Sequence, residues 1–151
     1  MFRRPLFIGV LALTAAVLAI VGHAGFEERA GVLSSPNAGW LTIQADEISP
    51  DAARAFTFKD AAGKKLRFLL ARDSRGRLYT VFDACEQCFK FHKGYTISGH
   101  YVICGYCGNR YRLSEIAKGQ ASCVPVTLAH SEAGRTVRVS VKDLERGRDL
   151  F

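Results

Sequence analysis

The chain's five cysteines, Cys85, Cys88, Cys104, Cys107 and Cys123, all lie within one 39-residue stretch. The first four form two Cys-x-x-Cys pairs, fifteen residues apart, in DACEQCFKFHKGYTISGHYVICGYCGN (83–109). Two residues between cysteines let a tight turn aim both sulfurs at one ion while backbone amides donate hydrogen bonds to them. The spacing C-x2-C-x15-C-x2-C falls within the range of a four-sulfur metal site. Disulfides are the default for an exported chain, but five is an odd number. A disulfide inside a Cys-x-x-Cys pair would also close too short a loop to add much chain-entropy stability. A four-thiolate shell suits zinc, a single iron or an iron–sulfur cluster. Spacing alone does not separate these and by itself favours a structural zinc ribbon. CGYCGN is the stronger knuckle because Gly105 and Gly108 supply backbone freedom; CEQCFK has no glycine.

Cys123 admits several roles: fifth ligand, second-site thiol, resolving thiol in disulfide exchange, or a small buried hydrophobe. His92 and His100 lie between the pairs and read as surface residues unless they face the site. Tyr95, Tyr101, Tyr106 and Tyr111 crowd the same region and are expected to shield it and fill a small core. Asp83 is expected to fix the first loop as a hydrogen-bond acceptor. No Ser/His/Asp arrangement, paired catalytic carboxylates or phosphate-cradling glycine loop is discernible, so hydrolase and nucleotide chemistry have no support.

The elements that must position these cysteines read as strands. WLTIQ, AFTF, KLRFLLAR, RLYTVFDA and RTVRVSVKDL are short, rich in β-branched and aromatic residues, and partly alternating. Turn signals around Gly63, Gly76 and Gly134 separate them, and residues 73–77 predict a hairpin between 65–72 and 78–83. The only helical piece expected is LSEIAKG, capped by Ser114 and ended by Gly119. Residues 40–151 therefore form one small, mainly antiparallel β domain with its cysteines in loops. The stretch 31–39, rich in Gly, Ser, Pro and Asn, reads as a linker.

Residues 1–30 are not fold material. Arg3 and Arg4 precede an uncharged apolar run from Pro5 to Gly22, near the ~20 residues that cross a bilayer as a helix. The arginines before it set the N-terminus in the cytoplasm. Small residues at 22–24 leave a cleaved signal peptide as the rival reading. Either way the remainder lies outside the cytoplasm, as a single-pass inner-membrane protein with a periplasmic domain if the anchor is kept. The chain carries 21 Lys and Arg against 14 Asp and Glu, a formal +7. These charges are scattered with no basic helix, which argues against nucleic acid. They read first as an ordinary soluble basic surface, and secondly as one facing an acidic redox partner or an anionic membrane.

Residues 55–128 resemble the FtrD-like membrane iron–sulfur proteins, which often accompany bacterial iron-uptake permeases. RDSRGR, FDACEQC, KGY, VICGYCGNRY and GQASCVP carry the resemblance, so Cys123 belongs to the pattern. Many members have several membrane spans; with one span here, any further electron route must come from another protein. A more distant similarity is to the Rieske fold, in the order Arg72–Cys85, Val102–Tyr111, Gly119–Leu128 and Thr136–Val141. Cys88 and Cys107 then stand where Rieske histidines would fall, which implies an all-cysteine centre of lower potential.

The resemblance thus implies a mainly β, Rieske-like or zinc-ribbon-like domain holding an iron–sulfur cluster (alternatively zinc or mononuclear iron). Cys85, Cys88, Cys104 and Cys107 are its ligands, with Cys123 as a candidate fifth. It implies one-electron transfer supporting iron or metal uptake beside a permease or redox partner, and an electron carrier more than a stand-alone enzyme. The rival readings are a structural zinc-ribbon binding module in a membrane complex and an exported thiol–disulfide oxidoreductase. The latter would call for βαβ organisation around a single pair.

Overall fold

The computed structural model describes residues 31–33, 38–120 and 122–151. The expected anchor, 1–30, and residues 34–37 of the expected linker lie outside them. Among the described residues no helix is long and apolar enough to cross a membrane. The first strands are β1 (Gly31–Leu33), β2 (Trp40–Gln44), β3 (Ala52–Lys59), β4 (Lys65–Arg72) and β5 (Leu78–Cys85). Next come β6 (Tyr95–Ser98), β7 (Tyr101–Cys104), β8 (Arg110–Arg112), β9 (Pro125–Thr127), β10 (Ser131–Ala133) and β11 (Thr136–Ser140). One short helix, α1 (Val141–Arg146), follows.

Three sheets result, with strand orders β1-β3-β4-β5-β9, β10-β11-β2 and β6-β7-β8. Every pairing between these strands is antiparallel except β1 with β3, so Gly31–Leu33, read from sequence as linker, adds a parallel edge strand. The expected mainly antiparallel β domain is what forms.

Strand parity explains the layering, because successive side chains point to opposite faces. In β4, Leu66, Phe68 and Leu70 enter one core while Leu69 and Ala71 enter another. β5 splits likewise, with Leu78, Phe82 and Ala84 on the first side and Val81 and Cys85 on the second. The first core is completed by Leu41 and Ile43 of β2, Val137 and Val139 of β11, and Leu144 of α1. The second is completed by Val102 and Cys104 of β7, Tyr111 of β8, and Leu113, Ile116 and Cys123. The central sheet is thus buried on both faces, which is why KLRFLLAR reads as a nearly unbroken apolar run.

The predicted hairpin is present, with Arg72 opposite Leu78. Its loop turns on Asp73, which is 1% exposed. The Asp73 carboxylate accepts from the amides of Arg75 and Arg77, from Arg77 Nε and from the Tyr79 hydroxyl. Burial opposes its charge, but these donors outweigh burial and hold its carboxyl below the usual value of 3.8. Asp60 does the same work in the β3–β4 loop, where it accepts from the Lys64 amide and pairs with Arg148 at 3.0 Å.

The brief helical piece expected at LSEIAKG forms, but without its Ser114 cap, and a helix not expected forms later. At LSEIAKG only a 3-10 turn forms over Leu113–Glu115, with no side-chain cap from Ser114. Leu113 and Ile116 are buried three residues apart, so a single turn seats both in the core. The α-helix lies at Val141–Arg146, overlapping the last four residues of the stretch read as strand, where the Ser140 hydroxyl accepts from the Asp143 amide at 3.4 Å. A serine cap just before the acidic Asp143 stops the strand and starts the helix.

Candidate metal centre

Cys85 ends β5 on the face that parity assigns to the second core. The chain then turns, and the Cys88 amide donates to Cys85 Sγ at 3.1 Å. Cys104 ends β7, paired across the ladder with Tyr95 of β6. Its loop closes through Cys104 N–H to Asn109 O at 2.9 Å and Gly108 N–H to Cys104 O at 3.0 Å, with Gly108 at φ +75°. Gly105 is required for a different reason than backbone freedom. A Cβ there would meet the Lys93 carbonyl at 2.8 Å, and its N–H donates to Gly94 O at 2.8 Å. The two knuckle loops touch at that point.

Cys123 comes from a third loop. Reciprocal hydrogen bonds with Gln120, at 3.0 and 3.1 Å, close its turn, and the Tyr111 hydroxyl donates to its carbonyl at 3.0 Å. The Glu86 amide donates to Val124 O at 2.9 Å, tying this loop to the first knuckle.

All five expected cysteines converge, and all are free thiols. The sulfurs of Cys85, Cys88, Cys104 and Cys123 lie within 4.8 Å of one another. Cys123 Sγ is 2.9 Å from Cys85 Sγ, 3.9 Å from Cys88 Sγ and 3.5 Å from Cys107 Sγ. Cys107 is exposed, whereas Cys85, Cys104 and Cys123 are buried.

The electrostatics of the thiols differ. Burial raises the Cys88 thiol to about 12, with its neighbour Cys85 adding to the effect. Burial and the same neighbour push Cys123 upward too. Burial works the same way on Cys104, yet the amides of Cys107 and Tyr106 outweigh it and lower this thiol below its usual value. A thiolate accepting two knuckle amides is what a metal-binding Cys-x-x-Cys turn supplies, so the donor set fits a thiolate-bound metal group.

Asp83 fixes the loop as expected: it accepts from the Tyr95 amide at 2.5 Å and pairs with Arg67 at 3.1 Å. Burial raises its carboxyl, against the pull of Arg67 and of the Tyr95 amide. Gly94 lies so close that a Cβ would meet the Asp83 carboxylate at 2.6 Å. Of the tyrosines, Tyr111 is buried in the second core and Tyr95 packs against it. Tyr106 instead stands exposed and stacks on Phe91, rings 3.7 Å apart and 5° from parallel. That pair bridges the two knuckles, and no periodicity pointed to Phe91. His92 is exposed and borders the cleft beside Cys85 and Cys88. His100 is half exposed and lies 3.9 Å from Asp51.

The Tyr95 hydroxyl is buried with no hydrogen-bond partner among the described residues, an arrangement that costs about 1–3 kcal/mol when nothing compensates. Burial, then the sulfurs of Cys85, Cys123 and Cys104 together with Tyr111, hold this phenol protonated well above its usual range.

Residues 48–151 match the family described as membrane iron-sulfur containing protein FtrD-like. No curated protein matches the chain. Among solved structures, it is similar to a chain in a complex of reduced oxygenase and oxidized ferredoxin in carbazole 1,9a-dioxygenase. The identity is 16% and the TM-score 0.46, covering 70% of this chain and 95% of that one.

Proposed function

Because the chain belongs to the family of membrane iron-sulfur containing FtrD-like proteins, we propose that its cysteine centre carries single electrons at a membrane, in support of iron or other metal uptake. The observation that carries this reading is the convergence of four free thiols from three separate loops, with the fifth, Cys107, 3.5 Å from Cys123. Cys85, Cys88, Cys104 and Cys107 are the ligand set, and Cys123 is a fifth sulfur within reach of the same position. An iron–sulfur group held there supplies a one-electron couple whose potential depends on charge, hydrogen bonding and burial. The chain's own residues do the rest. The Cys88 amide donates to Cys85 Sγ, knuckle amides stabilise thiolate charge at Cys104, and Val102, Tyr111 and Leu113 keep water from the inner side. Exposed Cys107 and Tyr106 form the outer edge.

A partner must meet that edge. Near that edge the exposed charges are Lys90 and Lys93 against Glu86, while Arg110 and Arg112 lie over Tyr101 on the other face of the β6–β8 sheet. This surface suits an acidic redox protein or an acidic face of an iron permease. Residues 1–30 serve as a single-pass anchor in the inner membrane, with the β domain on the periplasmic side. The frame is Rieske-like, with cysteine at 88 and 107 in place of histidine.

The test is to purify the full chain anaerobically in detergent and measure iron, acid-labile sulfide, zinc, visible absorption and EPR after reduction. Iron with matching sulfide and a reducible signal supports the proposal. Colourless protein with one zinc overturns it, and metal-free thiols with disulfide reductase activity favour an exported oxidoreductase.

One observation favours a second reading. Four sulfurs mutually within 4.8 Å suit a single tetrahedral ion, for which a metal–sulfur length of about 2.3 Å implies sulfurs about 3.8 Å apart. A zinc-ribbon module in a membrane complex, or a single iron, would use that geometry. The same metal and sulfide analysis decides between them.

A further inference from the structure

Two buried side-chain polar atoms lack a hydrogen-bond partner among the described residues, Arg72 Nε and the Tyr95 hydroxyl. Arg72 still donates through its Nη2 to the Ala45 carbonyl. Tyr95 has no such alternative, since its side chain carries only the one polar atom.

Three contacts place the Tyr95 residue and its ring. Tyr95 pairs with Cys104 across the β6–β7 ladder, so the two side chains share one face of their sheet. The Tyr95 amide is held by the Asp83 carboxylate. The ring meets Tyr111 edge-on, centroids 6.0 Å apart at 87°, and the Tyr111 hydroxyl is already donated to the Cys123 carbonyl. Tyr95 therefore packs against the core containing Cys85, Cys104 and Cys123, with a donor that nothing among the described residues accepts.

We propose that the Tyr95 hydroxyl donates a hydrogen bond to a sulfur of the loaded centre, a metal-bound thiolate or a sulfide, and so raises its potential. This rests on the functional reading above. Neutral thiols are weak acceptors, whereas a metal-bound sulfur carries negative charge and accepts well. The reduced centre carries one more negative charge than the oxidised one, so a fixed donor stabilises it more. The direction follows: removing the donor makes the centre harder to reduce.

Tyr95→Phe keeps the ring and its contact with Tyr111 and removes only the donor. In the full-length protein its iron and sulfide content should equal wild type. Its midpoint potential should fall, such that the reduced-to-oxidised ratio at a fixed potential drops about tenfold, about 59 mV for one electron. Tyr101 precedes Cys104 by three residues in β7 and so sits on the opposite face; Tyr101→Phe should leave the potential in place. Resonance Raman gives a second readout: metal–sulfur stretching bands should shift in D2O for wild type and shift less in Y95F. A fully loaded Y95F protein with an unmoved potential overturns this inference alone. So does an identical D2O response in the two proteins. A wild-type chain that takes up no iron overturns the functional reading, and this inference with it.

Discussion

At the scale of single residues, the five sulfurs are not equivalent. Cys85 and Cys104 are buried at the ends of β5 and β7, where a serine removes the sulfur from the enclosed side of the site, so C85S and C104S should each abolish most bound iron. Cys107 and Cys123 lie 3.5 Å apart, close enough for either to serve where the other is missing. C107S and C123S should each keep part of the iron, and the double variant should keep almost none. Iron per chain by elemental analysis checks this; complete loss in C123S alone would make Cys123 an obligatory ligand. Asp73 offers a pH test away from the sulfurs. Its folded carboxyl is held below 3.8, so it contributes stability above the unfolded value, and that contribution is lost as pH falls through the folded value. Asp73→Asn should lower stability at neutral pH and flatten the acid limb of a denaturation-midpoint-against-pH curve. A parallel acid limb in both proteins would remove Asp73 from the account.

At the scale of elements, β4 separates two cores with different duties. Leu70→Ala opens the core beneath β2, β11 and α1, whereas Leu69→Ala opens the core that holds Cys85 and Cys104. Each should cost about 2–5 kcal/mol by chemical denaturation, but only L69A should also disturb the spectrum of the loaded centre. Equal spectral effects would show that the two cores are not independent. The knuckle loops are a second case. Gly105→Ala drives a Cβ against the Lys93 carbonyl and should destabilise by about 1–3 kcal/mol with reduced iron retention. Gly76→Ala, in the distant β4–β5 loop, should leave iron retention unaffected.

At the scale of the molecule, the exposed basic residues around the thiols and the proposed anchor point to a protein that works against a membrane or a membrane partner. Alkaline carbonate washing of membranes should leave the full chain in the pellet. Recovery in the supernatant, at a mass shortened by the leader, would replace the anchor with a cleaved signal peptide.

The sequence by itself determined what local pattern encodes. Paired Cys-x-x-Cys turns announced a thiolate site, the Asp73–Arg77 loop announced its hairpin, and alternation announced strands. These are short-range matters, settled by the backbone demands of a few neighbouring residues. Tertiary structure decided the rest. Cys123 follows Cys85 by 38 residues yet their sulfurs lie 2.9 Å apart, because the Glu86–Val124 bond brings separate loops together. Tyr95 was legible as a shielding ring, but its unpaired hydroxyl appears only once β6 is in register with β7. LSEIAKG reads as helical and VKDL as strand, yet core burial gave the first a single turn and the second the start of the helix. Contacts across distant segments depend on register and layer order, which no short stretch of residues contains.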